Sequence, residues 1–72
     1  METKREKFVR LAENRTNNVL KGIELLGNLA NHNNYDFSKD DLRKIVKSLK
    51  SSVNELERIY DNSANKNNKF KL

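Results

Sequence analysis

The feature that most constrains this fold is a seven-residue repeat of apolar side chains in the second half of the chain. Leu42, Leu49 and Leu56 recur every seven residues, and two further rows with the same spacing lie beside them. These rows are Ile45, Ser52 and Ile59, and Val46, Val53 and Tyr60. Such a repeat is typical of an α-helix that packs against other helices. We therefore predict a helix over about residues 39–61.

The residues just before this repeat indicate where the helix begins. Ser38 is a favourable N-cap residue, and Asp41 follows three residues later, where a capping box has its second partner. Phe37 and Leu42 have the spacing of a hydrophobic staple. We therefore predict that Ser38 caps the helix and that Asp41 completes an approximate capping box.

A second amphipathic segment fills the first half of the chain, over about residues 3–30. On a helical wheel of about 100° per residue, its apolar side chains cover an arc of roughly 220°. One neighbouring helix needs a narrower stripe, so this arc predicts two neighbours. The side chains at its edges are the candidate interface residues Leu11, Leu20, Leu25 and Leu29.

The connection between the two segments, residues 31–37, is short and rich in asparagine, which tolerates turn conformations. A short link predicts antiparallel helices, so residues 1–61 are expected to form an all-α hairpin. Residues 62–72 are polar and basic, and we expect a disordered tail there.

Length and composition favour an oligomer. The chain has 72 residues and no cysteine, and a domain this small usually needs a disulfide, a metal or a partner chain. We predict a homodimer in which two hairpins form a four-helix bundle. The alternative is a hairpin completed by a different protein.

One polar run interrupts the apolar pattern of the first helix. Within residues 11–20, Arg15 stands where the periodicity calls for an apolar side chain. In a hairpin that turns near residue 34, Arg15 faces Ser52, and Glu55 follows three residues later. This coincidence predicts a buried polar layer of Arg15, Ser52 and Glu55 that sets the helix register. Two alternatives stay open: Arg15 extends to solvent, or it belongs to a ligand or partner site.

Residues around this polar run resemble a group of short helical bacterial proteins. The shared pattern is R-L-A-E-x-R, followed by L-x-x-I-x-L-x-G-N-L and by N-Y. It matches here at residues 10–15, at residues 20–29, and at Asn34 and Tyr35. The resemblance covers about residues 7–60. It implies no particular activity, because none is established for that group.

The residue types of enzyme active sites are sparse in this sequence. Cysteine is absent and His32 is the one histidine, so neither a thiol nucleophile nor a zinc site is expected. No phosphate-binding glycine loop and no G-x-S-x-G motif occurs. We therefore expect a non-catalytic protein that needs no cofactor.

Positive charge is the main clue to a binding partner. The net charge of +5 at pH 7 favours RNA, DNA or an acidic protein. Basic residues cluster on the outer face of the second helix and at the start of the first. The candidate nucleic-acid contacts are Arg43, Lys44, Lys47 and Lys50, with Lys4, Arg5, Lys7 and Arg10. The alternative interpretation is a solvated lysine surface without a partner.

Other functional hypotheses use different features of the sequence. The wide apolar arc of the first helix fits a protein-interaction module, such as an adaptor, an antitoxin-like partner or a phage- or plasmid-encoded inhibitor. A membrane surface is the least favoured partner, because tryptophan is absent and aromatic residues are few. The sequence contains neither a transmembrane run nor a signal-peptide pattern, so we expect a cytoplasmic protein.

Overall fold

A computed structural model describes residues 1–64 of the chain, and these residues form two α-helices and no strand. Helix α1 spans Lys4–Gly27 and helix α2 spans Lys39–Ala64. The predicted all-α class is confirmed. The chain divides after Asp36 into two compact units, each of which contains one helix. Helix α2 runs into the first positions of the predicted tail, whose residues 65–72 lie outside the described part of the chain.

Helix α1 begins with a capping box. Thr3 is the N-cap in an extended conformation, and its side-chain Oγ1 accepts a hydrogen bond of 3.0 Å from the Glu6 N–H. In return, the Thr3 N–H donates to Glu6 Oε1 at 2.9 Å. Two backbone donors that the helix itself cannot satisfy are thereby paired. This start agrees with the sequence-based expectation of a helix from about residue 3.

Helix α1 ends at Gly27, earlier than the apolar periodicity predicted. The Asn28 N–H donates to the Glu24 carbonyl at 3.1 Å, which is the helical pattern, but the Leu29 N–H donates to the Leu26 carbonyl, one residue closer. Glycine and asparagine are poor helix formers, so the helix tightens into a turn here. As a consequence, Leu29 lies in the turn that follows α1 rather than on its surface.

Asparagine side chains and carbonyls build the connection. The Asn31 side-chain Oδ1 accepts a hydrogen bond of 3.0 Å from the Asn33 N–H, and the Asn31 carbonyl accepts one of 2.9 Å from the Tyr35 N–H. The first bond makes an Asx turn, the local motif that asparagine favours. Asn31 therefore has a structural role in the turn.

Helix α2 starts where the sequence predicted. The Asp41 N–H donates to Ser38 Oγ at 3.1 Å, and the Ser38 N–H donates to Asp41 Oδ2 at 2.9 Å. The predicted capping box is confirmed, with aspartate in place of the usual glutamate. Asp40 and Asp41 also place negative charge at the positive end of the helix dipole.

The apolar faces of both helices are accessible. No described residue is buried, and Leu42, Ile45 and Leu56 of α2 retain 38%, 39% and 46% of their accessible surface. Faces this apolar are the usual contact surfaces of helical assemblies. Within residues 1–64, no helix is long and apolar enough to cross a lipid bilayer.

Candidate nucleic-acid interface

Three basic side chains share one side of the first half of α2. Arg43, Lys47 and Lys50 are spaced four and three residues apart, which places them within about 60° of one another around the helix axis. We call these three residues the basic row. They line a shallow surface groove together with Leu42, Val46, Ser51 and Asn54. The groove therefore combines positive charge with apolar surface.

The basic row carries uncompensated charge. None of its three side chains forms an ion pair with a carboxylate of residues 1–64. A helix surface of this kind attracts anions from solution, and the attraction weakens as salt screens it.

Lys44, which the sequence grouped with this row, lies elsewhere. Its Nζ is 3.4 Å from Asp40 Oδ2, one helical turn earlier. It is also displaced by about 60° from Lys47 and by about 100° from Arg43 around the axis. An exposed pair of this type is weak, but it offsets part of the Lys44 charge.

The basic residues at the start of α1 do not share one face. Lys4, Arg5, Lys7 and Arg10 spread over roughly 220° of the helical wheel. Arg10 binds Glu2 through two hydrogen bonds, of 2.7 Å from Nε and 3.0 Å from Nη2. This pairing lowers the pKa of Glu2 and neutralises the Arg10 charge. The Arg5 guanidinium lies 5.7 Å from the centre of the Phe8 ring, within cation–π range.

The second half of α2 is acidic, a segregation that the sequence analysis did not use. Glu55, Glu57 and Asp61 follow the basic row along the same helix. Arg58 donates two hydrogen bonds to the Glu55 carboxylate and lowers its pKa. Glu57 forms no ion pair with a cation of the described residues. After an acidic first turn, α2 thus has a basic stretch followed by an acidic one.

The members of the predicted polar layer belong to different units of the chain. Arg15 is exposed on α1, and its side chain forms neither a hydrogen bond nor an ion pair within residues 1–64. Ser52 is exposed on α2, and the Glu55 carboxylate is engaged by Arg58. The layer therefore stays a prediction.

The candidate interface residues of α1 differ in their surroundings. Leu20 and Leu25, at opposite edges of the apolar arc, are 57% and 53% exposed, whereas Leu11 is partly covered. Leu29 lies beyond the end of the helix. Of the four candidate interface residues, Leu11, Leu20 and Leu25 therefore lie on α1.

Comparison of this chain with known protein families, curated proteins and solved structures gives no match.

Proposed function

We propose that this chain is a small, non-catalytic helical module that self-associates in the cytoplasm and binds the phosphate backbone of nucleic acid through the basic row. The observation that carries this proposal is the set Arg43, Lys47 and Lys50, which share one side of α2 and lack carboxylate partners within residues 1–64. Phosphate binding needs clustered cations and no enclosed pocket.

The chemistry of the basic row suits backbone contacts. Residues 43 to 50 extend over about 10 Å of helix axis at 1.5 Å per residue. The lysine ammonium groups act as point charges on flexible stems, whereas the Arg43 guanidinium can hold a phosphate through two hydrogen bonds. Contacts of this kind position a protein on nucleic acid and carry little sequence information. We therefore expect binding that tolerates changes of sequence.

Charge order along the helices supports a hairpin as the building block. The start of α1 is basic, with Lys4 and Lys7, and the end of α2 is acidic, with Glu57 and Asp61. An antiparallel hairpin over residues 1–61 brings these opposite charges to the same end. Two such hairpins would cover the wide apolar arc of α1 in a four-helix bundle, the homodimer that we propose.

A salt series tests the nucleic-acid proposal directly. Fluorescence anisotropy with short labelled RNA and DNA of unrelated sequences should show binding at low salt. The affinity should fall steeply as salt rises, because each phosphate contact releases counterions. Absence of binding at low salt, or binding that salt does not weaken, would contradict the proposal. Comparison of the two probes identifies the preferred nucleic acid.

The exposed apolar edges of α1 favour a second candidate function, a protein-interaction module. Leu20 and Leu25 are more than half exposed, and accessible apolar residues at helical spacing are suited to docking a partner protein. A Leu20→Ser, Leu25→Ser double variant separates the candidates. It should abolish capture of a protein partner from the native host, while nucleic-acid binding through α2 is retained. An acidic protein partner would instead compete with nucleic acid for the basic row.

A further inference from the structure

Six side chains form an apolar seam along α2: Leu42, Val46, Leu49, Val53, Leu56 and Tyr60. The spacing of these residues is the same in both chain directions. Successive members are four, three, four, three and four residues apart, and an antiparallel second copy centred on Ser51 matches every one of them. The facing pairs are Leu42 with Tyr60, Val46 with Leu56, and Leu49 with Val53. Complete layers of this kind are what antiparallel helix pairing requires. The seam therefore accommodates a second copy of itself without a mismatch.

A row of three charges follows one edge of this seam. Arg43, Lys50 and Glu57 recur every seven residues, so they lie within about 40° of one another around the axis. None of them forms an ion pair with residues 1–64. We call these three residues the edge row. Its two cations and its anion are separated along the helix, so Glu57 meets cations of a second copy only when that copy is reversed. Lys50, near the centre of the pair, then lies beside its own equivalent.

Antiparallel pairing would bring the edge rows of two copies together. Glu57 of the second copy then falls between Arg43 and Lys50 of the first. It lies about 3 Å from Arg43 and about 7.5 Å from Lys50 along the axis, at 1.5 Å per residue. The twofold symmetry repeats this arrangement, so each Glu57 has two cations within side-chain reach. Charged residues beside an apolar seam commonly select partner and orientation in this way.

The opposite edge of the seam distinguishes antiparallel from parallel pairing. That edge is formed by Ile45, Ser52 and Ile59. In an antiparallel pair, this edge of one copy lies beside the same edge of the second copy. The mainly apolar strip that results can contact the other helices of a bundle. In a parallel pair it would face the edge row, which would desolvate three charges against apolar groups. The charge pattern therefore disfavours the parallel arrangement.

We propose that a second copy of this chain occupies the apolar seam of α2 in antiparallel orientation, with the edge row setting that orientation. This inference rests on the self-association proposed above and adds its register. Arg43 then faces Glu57 of the second copy, which leaves Lys47 as the freest cation of the basic row. The two Lys47 positions lie about 12 Å apart along the axis, at 1.5 Å per residue. One dimer therefore presents a two-copy phosphate-binding surface.

Two charge variants of the full chain test the pairing. The Arg43→Glu, Lys50→Glu variant has an entirely acidic edge row, and the Glu57→Lys variant has an entirely basic one. Sedimentation equilibrium should show each variant self-associating about tenfold or more weakly than the wild type, because like charges now face each other. An equimolar mixture should recover association, because the two rows are complementary again. Lys44→Glu is the control: it reverses a charge outside the edge row and should leave association unchanged.

The equimolar mixture tests the antiparallel register even if one variant alone loses helix content. Recovery of helical circular dichroism and of dimer mass on mixing supports the antiparallel register. Variants that dimerise like the wild type, or a mixture that stays as weak as its components, overturn it. A wild-type chain that is monomeric at micromolar concentration also overturns the pairing, while salt-dependent binding to RNA or DNA would still support the phosphate contacts. A wild-type chain that binds neither RNA nor DNA at low salt, together with intact recovery on mixing, would overturn only the nucleic-acid proposal.

Discussion

Ser38 and Asp41 form two reciprocal hydrogen bonds at the first turn of α2, in which each backbone N–H donates to the side chain of the other residue, at 2.9 Å and 3.1 Å. These bonds determine the residue at which the helix begins. The helical repeat relates every later side chain to this first turn. The apolar seam and the basic row therefore have fixed angular positions around the helix axis relative to the cap.

Removal of this cap should weaken α2. We expect Ser38→Ala to lower the free energy of unfolding by about 1 kcal/mol, because the Asp41 N–H loses its side-chain acceptor. Thermal unfolding followed by circular dichroism measures the change. Ser51→Ala, an exposed substitution within α2, is the matched control and should be neutral or slightly stabilising. Equal losses in the two variants would contradict the capping role.

Acidification should loosen the start of α1. The Thr3 N–H donates to the Glu6 carboxylate and holds the pKa of Glu6 below its ordinary value of 4.5. A lowered folded-state pKa means that the ionised group stabilises the fold above the ordinary pKa, and that this stability is lost as pH falls through the folded value. NMR titration of the Thr3 amide and the Glu6 carboxyl carbon should show both changing below pH 4.5.

A variant isolates the contribution of Glu6 from general acid effects. Glu6→Gln cannot titrate but keeps an acceptor at the same position, so the acid-dependent shift of the Thr3 amide should disappear. A shift of the same size in this variant would assign the effect to another carboxyl group, such as Glu2 beside Arg10.

Replacement of Arg15 tests the predicted polar layer. Arg15 has no ion pair within residues 1–64, so we expect Arg15→Met to leave the free energy of unfolding unchanged or raised, with loss of a single oligomeric state. Urea unfolding and sedimentation measure the two effects. Lys21→Met, on the polar side of α1, is the control and should retain one oligomeric state. A loss of about 3 kcal/mol in Arg15→Met would instead mean that Arg15 makes essential paired contacts.

Neutralisation of one basic-row cation should change the salt dependence of nucleic-acid binding. For duplex DNA, Lys47→Gln should reduce the slope of log affinity against log salt by about 0.9, because one phosphate contact is lost. Lys21→Gln removes the same charge from α1, where Lys21 pairs with Glu24 at 3.9 Å, and it should leave the slope nearly unchanged. If both variants lower the slope equally, binding follows net charge and not the basic row.

Local signals explain which parts of the fold could be predicted. The start of α2 followed from Ser38 and Asp41, because a capping box involves residues only three apart. The end of α1 did not, because Leu29 and Ala30 continue the apolar periodicity beyond Gly27. There the low helix propensity of glycine and the turn-forming asparagines outweighed the pattern.

The sequence predicted the position of the candidate site on α2, but not the ion pairs that its side chains form. The periodicity placed Arg43, Lys47 and Lys50 on one side of a helix. It could not show that Lys44 pairs with Asp40, since that depends on which rotamer each exposed side chain adopts.

By itself, the sequence determined that this chain is helical, where α2 begins, and that α2 carries an apolar seam with a basic side, because these properties depend on residues within a few turns of one another. Only the three-dimensional structure decided which charges are neutralised. Glu2 binds Arg10 across eight positions in the chain, and such a contact forms only once the backbone before the helix has taken one definite path.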